Sequence, residues 1–437
     1  VQLVLEPPVG DVVVGGEELL ELLGGRLLRC WLIGCAWRRR DGHSARGGLH
    51  LALRLDDLEP PLVAPAGAAF PGAPGRGQHA EQVVIGGVLK RQHADRLALE
   101  VFGAGNAGIL APGELGQAAA AQQRDAADLE AVGEVIRGRM ASKHAPRIPE
   151  VTAHLVDAGG KRLRPMLTLA CARMCGYEGA DHVKLAATVE FIHTATLLHD
   201  DVVDESAQRR GRPTANLLWD NKSSVLVGDY LFARAFQLMV EPGDLRVLDI
   251  LSNAAATIAE GEVLQLSAAQ NLATDEAVYL QVIRGKTAAL FSAATEVGGV
   301  IADAPEGQVK ALYDYGDALG IAFQIVDDLL DYQGDTGATG KNVGDDFRER
   351  KLTLPVIKAV AKADETERAF WVRTIEKGKQ EEGDLDHALM LLGKHDTLTA
   401  TQRDARDWAE KAQSALAPLP DHELKDMLID LANYVVS

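Results

Sequence analysis

Two short acidic runs carry the residues best suited to chemistry in this 437-residue chain. "LLHDDVVDESAQRRG" holds Asp200, Asp201 and Asp204, and "IVDDLLD" holds Asp327, Asp328 and Asp331 in the same order. On a helix, residues three and four apart share a face, so in each run the outer carboxylates stack one turn apart with the middle one beside them. Carboxylates crowded this way raise one another's pKa unless a cation sits among them. A solvated acidic face mixes its acids with lysine, and neither run does. Oxygen clusters that leave coordination positions open suit Mg²⁺, which keeps waters and bridges to phosphates, so the runs predict magnesium-held phosphate. Calcium is the rival, but the alternating ligands, central glycine and final glutamate of an EF-hand are absent.

Basic residues cluster near these runs. Arg209 and Arg210 follow the first, "GGKRLRP" supplies Lys161, Arg162 and Arg164, and Lys286 with Thr287, Lys341 and Lys351 come from three further segments. Dispersed cations around a metal site are what a second anionic group requires. Lys341 does not belong to a P-loop, because Asp335 stands where its first glycine would be and Asn342 replaces the Ser/Thr.

The elements that must position these groups are helices. Leu185, Val189 and Ile192 recur at helical spacing, as do Leu231, Ala235 and Leu238, and Leu319, Phe323, Val326 and Leu330 extend a stripe over three turns. Breakers separate the stripes at 241–244, 303–307 and 333–346, and alternating strand patterns are nearly absent, so an all-α helical bundle is expected.

This pattern holds for residues 122–437 only. Residues 1–121 contain 20 of the 43 glycines and 8 of the 17 prolines, with ten arginines and a single lysine, and the first methionine is Met140. The expectation is an irregular extension foreign to the helical domain, of the composition GC-rich DNA yields when translated upstream of a true start. Its Gly103, Gly105 and Gly108 form a G-x-G-x-x-G decoy without the following helix and strand that a dinucleotide site needs. A net charge of −18 argues against nucleic acid and favours small cationic partners. Four cysteines fit a reducing compartment; Cys171 and Cys175 read as core fillers. No run of about 20 apolar residues is present to span a membrane.

The segments "GGKRLRP", "EFIHTATLLHDDVVDESAQRRGRPTAN", "GDYLFARAF", "EGEVLQL", "RGKTAALF" and "FQIVDDLLDYQG…GKNVGDDFRERKLTLP" resemble those of the trans-polyprenyl diphosphate synthases, most closely the long-chain members that make quinone side chains. The likeness runs from about residue 122 to the C-terminus. It implies an isoprenoid-synthase-type bundle whose two aspartate motifs face each other across a central cavity, binding about two or three Mg²⁺ ions. Of the six catalytic aspartates, Asp200 and Asp204 would be the chief metal ligands of the first motif, and Asp327 with Asp331 of the second. Lys161, Arg164, His193 and Arg210 would hold isopentenyl diphosphate, and Arg209, Lys286, Thr287, Gln324, Lys341 and Lys351 the allylic diphosphate. Pyrophosphate departure would leave an allylic cation, attacked by the double bond of isopentenyl diphosphate in a water-free site. The resemblance further implies a cytoplasmic homodimer that touches the membrane surface only transiently.

Product length follows from bulk beneath the first motif. Short-chain members carry an aromatic four or five residues before the first aspartate, where this chain has Thr196 and Ala195. An open apolar channel favours elongation by about 0.8 kcal/mol per buried methylene, so a product of about eight to ten isoprene units is expected, ten being favoured. A geranylgeranyl-type synthase and a non-catalytic regulatory subunit are the alternatives; such a subunit is expected to have lost an aspartate motif, and both are whole here.

Overall fold

The computed structural model describes residues 3–5, 12–14, 127–157, 162–209, 211–333 and 343–437. The backbone divides into two compact units, Val1–Arg76 and Gly77–Ser437. In the first, Leu3–Leu5 (β1) pairs antiparallel with Val12–Val14 (β2), Leu3 opposite Val14. The seam expected at residue 121 and the glycine decoy lie outside the described residues.

Among the described residues of the second unit, regular structure is helical apart from one small ribbon, as the periodicity predicts. The main helices are α1 (127–140), α2 (Arg147–Asp157), α3 (Leu163–Met174), α4 (Asp181–Val203), α5 (Asn221–Val240) and α6 (Leu245–Ala268). They continue as α7 (Glu276–Ile283), α8 (Ala289–Ile301), α9 (Glu306–Gln333), α10 (Leu354–Lys362), α11 (Thr397–Ala415) and α12 (Glu423–Val435). The first two expected breakers mark helix boundaries, and most of the third, 334–342, lies outside the described residues. At the first, Gly243 takes a left-handed φ of 74° and the Asp244 carboxylate accepts the Arg246 and Val247 N–H groups, capping α6.

Helix α8 is the hub, packed against α3, α4, α6 and α9. Its sequence, ALFSAATEVGGVI, is apolar on nearly every side, the pattern of a helix with no solvent face. A Cβ on Gly298 would lie 2.7 Å from the Cβ of Cys171, so the bare Cα is what lets α3 approach. Cys171 is buried in that contact, the filler role expected of it.

The stripes Leu185–Val189–Ile192 and Leu231–Ala235–Leu238 are fully buried and join α4 to α5 in one core. The third stripe departs from expectation: Leu319 is buried, but Phe323 and Val326 are half-buried and Leu330 is 47% exposed. Helix α9 is covered by α8, α10, α11 and α12, so its buried residues, including Ile321, Ala322, Ile325 and Leu329, run around the helix instead of along one line.

Candidate functional site

Both acidic runs sit at helix C-termini. Asp200 and Asp201 occupy the last turn of α4 and Asp204 caps it, after which Glu205 reverses the chain with a φ of 51°. Asp327, Asp328 and Asp331 lie in the last turns of α9. A helix C-terminus carries partial negative charge, so acids there are unfavourable, by about 0.3–1 kcal/mol each at exposed sites, unless cations offset them.

Around the first run, Asp201 is fully buried and accepts a 2.8 Å hydrogen bond from Arg209 Nε. Arg209 reaches it because the chain folds back through an antiparallel ribbon, Gln208–Arg209 (β3) with Arg212–Pro213 (β4). The Thr214 hydroxyl donates to the Ser206 carbonyl at 2.6 Å, and Asn216 Nδ2 donates to the Asp201 carbonyl at 3.3 Å. Burial pushes the Asp200 carboxyl up against the pull of Lys286, and the Asp204 charge adds to the rise. Lys286 projects from a wide π turn, Arg284–Ala288, between α7 and α8, and its Nζ is 2.9 Å from Glu262 Oε2 on α6. The two backbones nearly touch there: a Cβ on Gly261 would meet the Lys286 amide nitrogen at 2.5 Å.

In the second run the three aspartates have different surroundings. Asp327 is exposed. Asp328 is buried and accepts from Tyr279 Oη at 2.6 Å and Gln324 Nε2 at 2.8 Å, while Gln324 Oε1 accepts from the Thr287 hydroxyl at 2.7 Å. Burial pushes the Asp328 carboxyl up to about 7 against those two hydrogen bonds, with the Asp327 charge adding to the rise. Asp331 accepts the backbone N–H groups of Asp345 and Asp346, at 3.2 and 3.1 Å, and so holds the short helix Asp345–Arg348 against α9. That brings in Asp346, a carboxyl pushed well up by burial and by the charges of Asp328 and Asp331.

Lys351, just after the short helix held by Asp331, reaches the first run. Its Nζ lies 3.0 Å from Asp204 Oδ2 and 2.7 Å from Glu349 Oε2. Burial alone would lower its pKa, but Asp204 and Glu349 outweigh it and raise the ammonium above its usual range.

Two turns before Asp200 on α4, His193 Nε2 lies 3.3 Å from Arg164 Nη1, and the Arg164 guanidinium lies over the Phe291 ring, 4.3 Å from the centroid. Burial lowers Arg164 to about 10, with Glu190 opposing. Ala195 is packed in the core, whereas Thr196 is half-buried with its hydroxyl donating to the His193 carbonyl at 2.8 Å. Lys161, Arg210 and Lys341 lie outside the described residues.

Glu262, Tyr279, Asn216 and Asp346 are the polar groups at the site that the sequence reading did not single out. Glu262 lies in "EGEVLQL", Asp346 in "GDDF" and Asn216 at the end of "RGRPTAN", so these three had a local signal; the tyrosine had none.

Among the described residues no three His, Cys, Asp or Glu side chains form a ready metal cage. A magnesium site that draws most ligands from water and phosphate needs no such cage. The residues fit a cation on other grounds. Asp201 Oδ2 and Glu262 Oε1 are buried without a hydrogen-bond partner, and both adjoin Asp200 and Asp204. Arg209, Lys286 and Lys351 each already neutralise one of these acids. A helical bundle with two acidic helix ends and interleaved cations defines a class of enzyme suited to an anionic substrate.

Comparison with known proteins places the chain within that class. The family model "Polyprenyl synthetase" matches residues 145–392. The octaprenyl diphosphate synthase of Haemophilus influenzae is 44% identical over 305 residues, 70% of this chain and 92% of that protein. A crystal structure of a decaprenyl diphosphate synthase from Rhodobacter capsulatus is 74% identical with a TM-score of 0.70, covering 72% of this chain and 97% of the other. A polyprenyl synthase from Caulobacter crescentus CB15, crystallised with calcium and isoprenyl diphosphate, is 50% identical with a TM-score of 0.69, covering 72% and 96%. The chain belongs to the polyprenyl synthetase family, resembles its long-chain trans members, and is a prenyltransferase.

Proposed function

We propose that the chain makes a long all-trans polyprenyl diphosphate by repeated condensation of isopentenyl diphosphate onto an allylic diphosphate. The observation that supports this best is Lys351, from the segment after the second aspartate run, bonded to Asp204 of the first across 147 positions of sequence. Asp200 and Asp204 from one run and Asp327, with Asp331, from the other would hold Mg²⁺. Bound there, the metal supplies Lewis-acid stabilisation of diphosphate charge. Arg209, Lys286 and Lys351 exchange their present carboxylate partners for the allylic diphosphate; Lys341 is proposed to bind it as well, with Thr287 and Gln324 orienting it. Lys161, Arg164, His193 and Arg210 take isopentenyl diphosphate. Arg164 is ready for this, since Phe291 and His193 leave its buried Nε without a partner.

Thr196 is small and half-buried, and Ala195 beside it is packed in the core, so no aromatic stands below the first run; with relatives named as octaprenyl and decaprenyl diphosphate synthases, a product of about eight to ten units is proposed, ten being favoured. Quinone side chains are the proposed use. The enzyme is proposed to act as a cytoplasmic homodimer with transient membrane-surface contact; among the described residues no helix is long and apolar enough to cross a membrane. Residues 1–121 are proposed to be dispensable.

The test is to supply farnesyl diphosphate, labelled isopentenyl diphosphate and Mg²⁺ to the full chain and to residues 122–437, and to size the products by mass spectrometry. A ladder ending at about eight to ten units supports the proposal, a stop at about four moves the function to a geranylgeranyl-type synthase, and no incorporation overturns it.

A further inference from the structure

Asp328 is held by the protein at both carboxylate oxygens. Each of its oxygens has a side-chain donor, Tyr279 Oη on Oδ2 and Gln324 Nε2 on Oδ1. The Thr287 hydroxyl then donates to the other end of the same glutamine amide. These four residues form one hydrogen-bonded chain across three segments: α7, the π turn that also carries Lys286, and α9.

The chain has a direction. A glutamine amide is nearly symmetric in shape, so its neighbours decide which end is oxygen. Here Gln324 Nε2 faces Asp328 Oδ1, which leaves Oε1 to accept from the Thr287 hydroxyl. Asp328 stays in that orientation because its second oxygen is anchored by a phenol that is itself 4% exposed. Without the phenolic oxygen, Asp328 Oδ2 would be buried with no donor, and the cheapest relief is rotation toward the amide. That rotation frees Gln324 to turn over and Thr287 to move away from its place beside Lys286.

We infer that Tyr279 is a positioning residue for the allylic diphosphate, acting through Asp328 on Gln324 and Thr287. The inference rests on the proposed function, in which Gln324 and Thr287 orient that substrate. Tyr279 itself touches no substrate. It is tied to only one of the two diphosphate sites, because Arg164 and His193 lie outside the chain of hydrogen bonds.

The test is steady-state kinetics of Tyr279→Phe, Thr287→Val and the double variant in the full chain, alongside the wild type. Leaving a buried acceptor unsatisfied predicts a rise of roughly 5- to 100-fold in KM for farnesyl diphosphate. The KM for isopentenyl diphosphate should stay near wild type, while Tm falls by no more than the roughly 2–5 °C that one unsatisfied buried acceptor costs. The double variant should be little worse than the worse single one, since both break one chain. A general loss of packing would move both KM values together, and that outcome overturns the inference; so do an unchanged KM in Tyr279→Phe and strict additivity. If Tyr279→Phe folds poorly, 3-fluorotyrosine at 279 keeps the shape and strengthens the O–H donor. It should lower the farnesyl diphosphate KM by about two- to threefold, and no change there overturns the inference too. An inactive wild type would overturn the functional reading and this inference with it, whereas an active wild type beside a wild-type-like variant overturns this inference alone.

Discussion

Gly261→Ala is the substitution with the clearest structural consequence. The new Cβ would lie 2.5 Å from the Lys286 nitrogen, 2.8 Å from the Gly285 carbonyl carbon and 3.0 Å from its Cα, all backbone atoms that cannot rotate aside. Ordinary contact begins at 3.4 Å, so α6 and the π turn must separate by about 0.9 Å. Overpacking of this kind costs about 1–3 kcal/mol, which for a domain of this size lowers Tm by roughly 2–5 °C. Lys286 moves with the turn, and a displacement near 1 Å at a substrate-orienting group costs on the order of 100-fold in rate. Calorimetry and kcat/KM with farnesyl diphosphate would measure both effects. Gly138→Ala is the control: a Cβ there meets nothing within 4 Å on exposed α1, so stability should rise by about 0.4–1 kcal/mol with activity unchanged. Wild-type Tm and kinetics in Gly261→Ala would refute the close approach; a lower Tm with intact kinetics would refute only the catalytic placement of Lys286.

Other substitutions probe the remaining contacts. Lys351→Met leaves Asp204 and Glu349 without their shared cation and should lower kcat/KM by roughly 10- to 1,000-fold, whereas equal activity would remove Lys351 from the site. Thr196→Phe should shorten the product while the enzyme stays folded, because Thr196 is half-buried; Ala195→Phe forces a ring into a filled core and should instead lower Tm. Product sizing and melting curves separate the two. Two pH effects of opposite sign are expected in the metal-free protein. The hydrogen bonds of Lys394 and His395 lower Glu367 to about 2 from an ordinary 4.5, so its stabilisation is present above pH 4.5 and is lost as pH falls toward 2. Asp328, raised to about 7 from 3.8, stabilises below pH 3.8 and loses that contribution as pH rises through 7. Tm measured against pH should flatten over the lower window in Glu367→Gln and over the upper one in Asp328→Asn; unchanged slopes would contradict the assignments.

Helical period, breakers and the two acidic runs were legible in the sequence because each depends on neighbours within a few residues. The i, i+4 spacing of Asp200 with Asp204 and of Asp327 with Asp331 predicts shared faces wherever the helices go. Likewise Asp244 and Gly243 end one helix and start the next with local hydrogen bonds alone. Family motifs extended this reach to Lys286, Thr287 and Gln324, whose mutual contacts no periodicity reveals.

What only the tertiary structure decided is the division of labour within each run. Asp201 and Asp328 look like their neighbours in sequence, yet they face into the protein and are held by Arg209, Tyr279 and Gln324. Asp331 is turned to two backbone N–H groups of the helix Asp345–Arg348. Leu330, on an apolar stripe, faces outward because four helices cover α9 from other directions. The approach of Gly261 to Gly285 and the bond from Lys351 to Asp204 join segments far apart in the chain. Local propensity sets which residues share a helix face, but packing between helices sets what each face meets, and the chemistry of this site lies in those meetings.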